Sequence, residues 1–374
     1  MHRGGGRGHS ARSTNPGRGL PPPRRSPHLR RNGFPPSQPL RRATRSNPAT
    51  RPNPSRNYQN DRNDCIDHIT HSEIKRRGLE FVGFDASRQA SAGETLNIER
   101  FKAHYGVEPK TIEALFRQLQ QKFSDFDYRL ALMAINFLKG YDTEHVLAGR
   151  WKNCEDYIRP RVWEYTRKIQ SLKASTIVLG GFDPDETYLF GLDCFDCTVQ
   201  EFRLDPSAKW YSHKSNHSGL RYELATAIRR PKIVWLTGPH FPSTHDITIF
   251  RGGKPEVKPE NRDQNALYFR MEELGRGKKC VADSALAGEP EKIVTSSSDH
   301  KKDFRDWVNR VKVREETIHS RLKSFNVLAQ TFRHGKNTKD KMEKHKTCTE
   351  AVAVIVQFDF DNGHPPFEVD GTLF

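Results

Sequence analysis

Three acids set in three different contexts could do chemistry together: Asp196 in GLDCFDCTVQEFR, Asp246 in GPHFPSTHDITIFR and Glu316 in REETIHSRLKSFNVLAQTFRHG. A hard divalent cation takes oxygen ligands, and carboxylates gathered from distant segments are how a chain builds a Mg²⁺ site for phosphodiester chemistry. Asp196 lies between two strand-like runs, and Asp246 follows the run KIVWLTG across a loop with Pro239 and Pro242. Strand ends and the loops beyond them are where an open α/β sheet places its ligands. The chain has forty-six acids, and several compete: Asp193 flanks the same run as Asp196, Asp283 ends CVAD, and Asp205 follows FRL. The third position is open as well. Val308, Val311, Ile318, Leu322, Phe325 and Phe332 form an apolar stripe with which Glu315 is in phase, while Glu316 lies about 100° round the helix, beside His319 and Lys323. A carboxylate on a buried face needs a cation or hydrogen-bond donors, which makes Glu315 the choice of periodicity.

The elements that must position these acids follow from pattern. From residue 175 the runs STIVLGG, ETYLFGLDCF, TVQEFRL, RYELATAI and KIVWLTG are short, rich in β-formers and separated by Gly, Pro, Asp and Asn, so they read as strands, with KKCVADS as one more. The apolar run 351–356 has the length of a core strand. Residues 302–332 return to helical period, and strands with helices among them make an α/β architecture. Ahead of the sheet, 96–173 is helical. A helix ending near Gly140, a short one over 143–148 capped by Asp142, a turn at 149–153 and a longer helix through Ile169 have the spacing of a helix-turn-helix. The last helix carries Arg159, Arg161, Arg167 and Lys168, with Lys152 in the turn before it, so it is the element to lay in a major groove. A small bundle with a solvated basic face fits the same spacing. Pro160 predicts a later start or a kink.

Composition separates a tail from a body. Residues 1–60 hold thirteen Arg and eleven Pro with no Lys and no acid, too little apolar surface to offset chain entropy, so this segment is expected to be disordered. It carries thirteen of the formal sixteen positive charges and leaves the remaining 314 residues at +3. A detached polycation attracts phosphate polymers without sequence preference; a solubilising leader with incidental nuclear-import value is the plainer reading. The six cysteines include one CxxC, at Cys194 and Cys197, with no second pair for zinc, and are expected to be thiols of a reducing compartment. No apolar leader opens the chain and no run reaches the length of a membrane span, so a soluble, intracellular protein is expected.

The residues also resemble a known family. From about Phe101 onward the chain is similar to DDE-superfamily transposases of the Harbinger and IS5-like group. FDCTVQEFR resembles the first-acid block, GPHFPSTHDITIF the second, REETIHSRLKSFNVLAQTFRHG the third, and KWYSHKSNHSGLRYELA the basic-aromatic block between the first two. Aligning RLK and FRHG makes Glu316 the family acid. The resemblance implies an RNase H-like mixed sheet flanked by helices over 175–374, and an endonuclease and strand-transfer enzyme holding two Mg²⁺ or Mn²⁺ ions with Asp196, Asp246 and Glu316, Asp196 bridging both. It implies double-stranded DNA as partner, with Lys209, Lys214, Arg321 and Lys323 as phosphate clamps, and it suggests an accessory DNA-binding protein, a homo-oligomer and a nuclear location. Cys197 stands where the family has Gly. A transposase-derived DNA-binding protein that no longer cuts shares every one of these features.

Overall fold

The structure is a computed structural model that describes residues 69–201 and 205–370. The tail expected to be disordered lies outside the described residues.

Helices open the described chain: α1 His71–Phe81, α2 Ala86–Ala90, α3 Glu94–Tyr105, α4 Pro109–Lys122, α5 Tyr128–Gly140, α6 Glu144–Trp151, α7 Glu155–Gln170 and α8 Lys173–Thr176. Their ends obey local rules. Thr70, Asp85 and Asp127 accept hydrogen bonds from first-turn amides of α1, α2 and α5, which satisfies donors a helix leaves open. α4 begins on Pro109, whose fixed φ suits a first helical position. α5, α6 and α7 follow one another through short turns as the spacing predicts, but α6 runs on to Trp151, and Thr143 stands at its N-cap. Asp142 pairs with Arg150 instead. α7 carries Pro160 inside it without being broken.

A six-stranded mixed sheet follows: β1 Tyr188–Thr198, β2 Tyr211–Ser212, β3 His217–Ala227, β4 Ile233–His240, β5 Lys279–Ala282 and β6 Ile293–Val294. β1 is central, antiparallel to β3 and parallel to β5; β3 is antiparallel to β4 and to short β2, and β5 is parallel to β6. The helices α9 Asp246–Arg251 and α10 Leu267–Arg270 come between β4 and β5. The chain then closes with α11 Lys302–Lys323, α12 Asn326–Ala329 and α13 Thr338–Asp361.

Three strand expectations fail. STIVLGG forms no strand; α8 and irregular backbone occupy it. Over its described residues TVQEFRL starts no strand of its own: Asp196 lies within β1, not between two strands, β1 ends at Thr198, and beyond it Val199 makes only an isolated bridge to Phe332. Residues 351–356 are the buried middle of α13, because a run of β-branched residues this apolar is decided by what surrounds it, and burial on every side overrides strand propensity.

Alternation along β1 sorts the two faces of the sheet. Phe190 and Leu192 pack with Ala225 and Ala227 of β3 against Phe250 of α9 and Leu267 of α10. Phe195 and Cys197 pack with Leu220, Tyr222 and Leu224 of β3 against Ile318 and Leu322 of α11 and the buried stretch of α13. That second core also takes in α1, α3, α4, α5 and α7, so the helical region and one sheet face share a single interior. Cys194 and Cys197, three residues apart on a strand, fall on opposite faces; both are buried free thiols and cannot chelate together. Among the described residues no helix is long and apolar enough to cross a membrane.

Candidate functional site

Asp196 and Asp246 meet, and a cation of the protein's own stands between them. Asp196, 8% exposed, faces the side of the sheet that α9 covers. Arg221 is its register partner on β3, and its guanidinium donates from Nε to Asp196 Oδ1 at 2.7 Å and from Nη2 to Oδ2 at 3.0 Å. Nη1 of the same group donates to Asp246 Oδ1 at 2.7 Å and to the Thr244 carbonyl at 3.1 Å. Ser212 Oγ of β2 adds a hydrogen bond of 2.5 Å to Asp196 Oδ2. Burial raises the Asp196 carboxyl, but the bonds from Arg221 and Ser212 outweigh it and hold the group below the usual range. Arg221 is correspondingly held above its own, first by its bonds to Asp196. A planar, permanently charged fork answers both oxygens of Asp196 and one of Asp246.

Glu316 is not part of this arrangement. α11 lies on the other face of β1: His319 stacks near Phe195 with ring centroids 4.9 Å apart. Glu315 reaches β1 at Gly191, where an added Cβ would come within 2.5 Å of Glu315 Oε1. Glu315 is 2% exposed and accepts from Thr226 Oγ1 at 3.1 Å; burial holds its carboxyl well above the ordinary value. Periodicity therefore identifies the buried acid of α11, while Glu316 is exposed. The sheet separates both from the side chain of Asp196.

The face of β1 toward α11 brings other acids together. Leu192 and Ala282 are the last pair of the parallel strands β1 and β5. The next residue on each is an aspartate, Asp193 and Asp283, at the point where β1 outruns its neighbour. Asp193 Oδ1 accepts from the Cys194 amide at 2.7 Å, and its Oδ2 is 3.6 Å from His319 Nδ1, beyond hydrogen-bond range. Burial raises the Asp193 carboxyl above its ordinary value; Lys214 and the amide oppose this, and the carboxylates of Asp246 and Asp283 reinforce it. Asp283 is held below its ordinary value, first by Lys312 of α11, whose Nζ is 2.8 Å from Oδ1. Lys312, Glu316 and His319 lie along one stripe of α11 at helical spacing. The first touches Asp283 and the last stands beside Asp193, and Glu316 is the exposed residue of that stripe between them in sequence. His319 is neutral, pushed down to about 3 by burial, and its Nε2 is buried without a hydrogen-bond partner. Asp205, the other competing acid, accepts from Thr338 Oγ1 and belongs to neither group.

The expected DNA contacts divide. Lys168 is 8% exposed, held by Asp125 and Glu164, and does not face a groove. Arg159 is bound by Glu144 and Asp156, Arg161 lies over the Tyr157 ring, and Arg321 donates to the carbonyls of His364 and Pro365. Arg167 is exposed, as is Lys152, the left-handed C-cap of α6 at φ 52°. Lys209 lies over Phe241 and 3.7 Å from Asp205. Lys323 is half-buried near Cys197 and His319. Lys214 Nζ donates to the Cys194 carbonyl at 3.2 Å, within the acidic notch itself.

Sequence reasoning missed Arg221, Ser212 and Lys312. Arg221 left no clear signal, since in RYELATAI it shares with Glu223 the polar phase opposite Tyr222 and Leu224, which alternation assigns to solvent; only the cover of α9 on that face makes the pair need partners. Compared with family models, with curated proteins and with solved structures, the chain matches none.

Proposed function

We propose that this protein cleaves and rejoins DNA phosphodiesters with divalent metal, and that Asp193, Asp283 and Glu316 are the acids that hold it. The observation that carries this reading is the notch: two parallel strands end side by side in aspartates, and a helix stripe bearing Glu316 lies over both. Carboxyl ends of neighbouring parallel strands are where α/β sheets keep their ligands. The strand sequence, with β1, β3 and β4 antiparallel and the two-residue β2 beside β3, then β5 and β6 parallel and a long helix, is close to the arrangement an RNase H-like nuclease would have, and it supports the resemblance in the sequence. Among the described residues no three such side chains are drawn to within reach of one ion, so the exposed Glu316 would have to swing in to complete the set with Asp193 and Asp283; the chemistry of those two strand-end acids still suits a hard cation. Asp193 is half-buried, raised first by that burial and then by neighbouring carboxylates, and has only a backbone amide within hydrogen-bond distance, a placement that a hard cation relieves. Asp196 and Asp246 fit less well, because Arg221 already pairs with both.

Bound Mg²⁺ or Mn²⁺, as a pair, supplies an activated water or 3′-hydroxyl and charge stabilisation at the leaving oxygen. The chain contributes the rest. Asp193 on the central strand is fixed by the Cys194 amide, neutral His319 packs beside it, and the α11 stripe sets Glu316 one turn from the lysine that touches Asp283. The exposed Arg167 and Lys152 support duplex contact by α7 and the turn before it, and the tail would add affinity that depends on salt.

The experiment is Mn²⁺-dependent nicking of duplex DNA together with calorimetric Mn²⁺ binding. Asp193→Asn, Asp283→Asn and Glu316→Gln are each expected to lower nicking about a hundred-fold or more and to weaken Mn²⁺ binding, with Asp205→Asn as the unaffected control. Wild-type nicking in all three variants would sink the assignment. A second reading, a DNA-binding protein that does not cut, draws on the Lys312 contact with Asp283; duplex binding by the native chain without Mn²⁺ uptake would favour it.

A further inference from the structure

The hairpin of β2 and β3 stands out at the rim of the notch. Its turn, YSHKSNHS over 211–218, contains no acid, and Tyr211, His213, Lys214, Asn216 and His217 are all exposed. Tyr211 and His213 meet edge to face at 5.0 Å, presenting two flat rings to solvent. One residue of the turn is the opposite. Ser212 is fully buried; its hydroxyl donates to Asp196 and accepts from the Ser215 amide at 3.2 Å. Asn216, in the left-handed region at φ 56°, donates its amide to the Ser212 carbonyl at 2.8 Å. The turn is therefore held from inside by Ser212, Ser212 by Asp196, and Asp196 by Arg221 and, through it, Asp246. From the turn Lys214 reaches back to the Cys194 carbonyl on β1, between Asp193 and Asp196 in sequence.

We propose that this hairpin is the finger that grips the DNA strand at the reacting phosphate: one ring of the perpendicular Tyr211–His213 pair stacks on a base beside it while the other buttresses it edge-on, Lys214 contacts the phosphate, and the Asp196–Arg221–Asp246 clip is the device that positions the finger. The inference rests on the metal site proposed above, and it gives Asp196 and Asp246 a use other than metal binding. Stacking suits the finger because each base has a π-face, so flat rings hold a strand without reading its sequence. A lysine suits the phosphate because it is a mobile point charge that can leave a carbonyl for a stronger acceptor. Ser212, Asp196 and Arg221 are positioning residues here; Lys214 and the stacking ring of the Tyr211–His213 pair touch the substrate.

The test uses the full chain and a short duplex substituted with iodouracil on the nicked strand. Photo-cross-linking without divalent metal, mapped by mass spectrometry, is expected to place adducts on Tyr211 or His213, and this readout does not depend on cleavage. Lys214→Ala is expected to lower nicking roughly ten-fold or more while Mn²⁺ binding is kept or tightened, since a positive charge is lost beside Asp193, and Lys214→Arg to restore much of the nicking. Ser212→Ala, a milder change than any at Asp196, is expected to disperse the adducts while Mn²⁺ binding persists. Adducts that avoid residues 211–218, together with wild-type nicking by Lys214→Ala, overturn the finger and leave the metal site standing. The metal site fails separately, if Mn²⁺ binding ignores Asp193→Asn and Asp283→Asn.

Discussion

Two pairs of aspartates flank the central strand of this protein, one on each face, and they are treated in opposite ways. Asp196 and Asp246 share a guanidinium that hydrogen-bonds to both. Asp193 and Asp283 share a notch in which one carboxyl is raised by burial and the other is answered by a single, partly exposed lysine. The lesson is that proximity of acids does not make a metal site. A buried carboxylate must have a counter-charge, and what distinguishes a structural acid from one free to bind a cation is whether the fold has already supplied it.

The comparison breaks most sharply at Arg221. Arg221→Met removes the shared cation and strands two carboxylates, one of them deeply buried, so a loss of about 3–5 kcal/mol is expected in urea denaturation; a loss below about 1 kcal/mol would mean that the pair is not held by Arg221. The pH dependence of stability sharpens the contrast from another side. Asp196 is depressed in the fold, so its contribution is present above the ordinary carboxyl value of 3.8 and disappears as pH falls through its lower folded one. Glu223, on the same face and fully buried, accepts from Trp235 Nε1 at 2.8 Å while its other oxygen has no partner. Burial raises it from 4.5 to about 8. Between those values the folded chain keeps a proton that the unfolded chain has lost, so stability falls as pH rises, by up to roughly 1.4 kcal/mol per unit. Glu223→Gln should flatten that slope; an unchanged slope would show that Glu223 does not set it. The smallest effect belongs to the notch. Lys312→Ala removes a partly exposed ion pair and is expected to change stability by less than about 1 kcal/mol, while tightening Mn²⁺ binding because Asp283 loses a competing cation. Weaker binding would count against Asp283 as a ligand.

Much of this was legible beforehand, and the failures have physical causes. The helical hairpins from Tyr128 to Gln170, the central strands and the long helix of 302–323 follow from period and breakers. The run 351–356 does not, since a wholly apolar segment has no phase and its surroundings decide between strand and helix. At the site, Asp193 and Asp283 were visible as competitors but could not be ranked, because their importance depends on β1 and β5 being parallel neighbours, a long-range pairing that no local pattern encodes. Strand alternation could have separated Asp193 from Asp196, three residues apart and therefore on opposite faces. It could not have said which face the long helix would cover. Glu315 and Glu316 show the converse: helical phase correctly assigns burial to the first and a rim position to the second, and burial turns out to be the structural property.

Gly191 carries a consequence for how this chain can change over generations. Its missing Cβ is the space that the Glu315 carboxyl fills against the central strand, so neither residue is free to vary alone. An alanine at 191 would press on Glu315 and lift α11, and with it the stripe that runs from Lys312 to His319. Shortening residue 315 to alanine in the same lineage would remove the nearest obstruction and leave only Val311 Cγ1, 2.9 Å from an added Cβ, to give way, so the two substitutions should partly offset each other rather than add. A strand residue and a helix residue far apart in the gene are thus coupled by packing, and a change at one is expected to be tolerated best when the other changes with it.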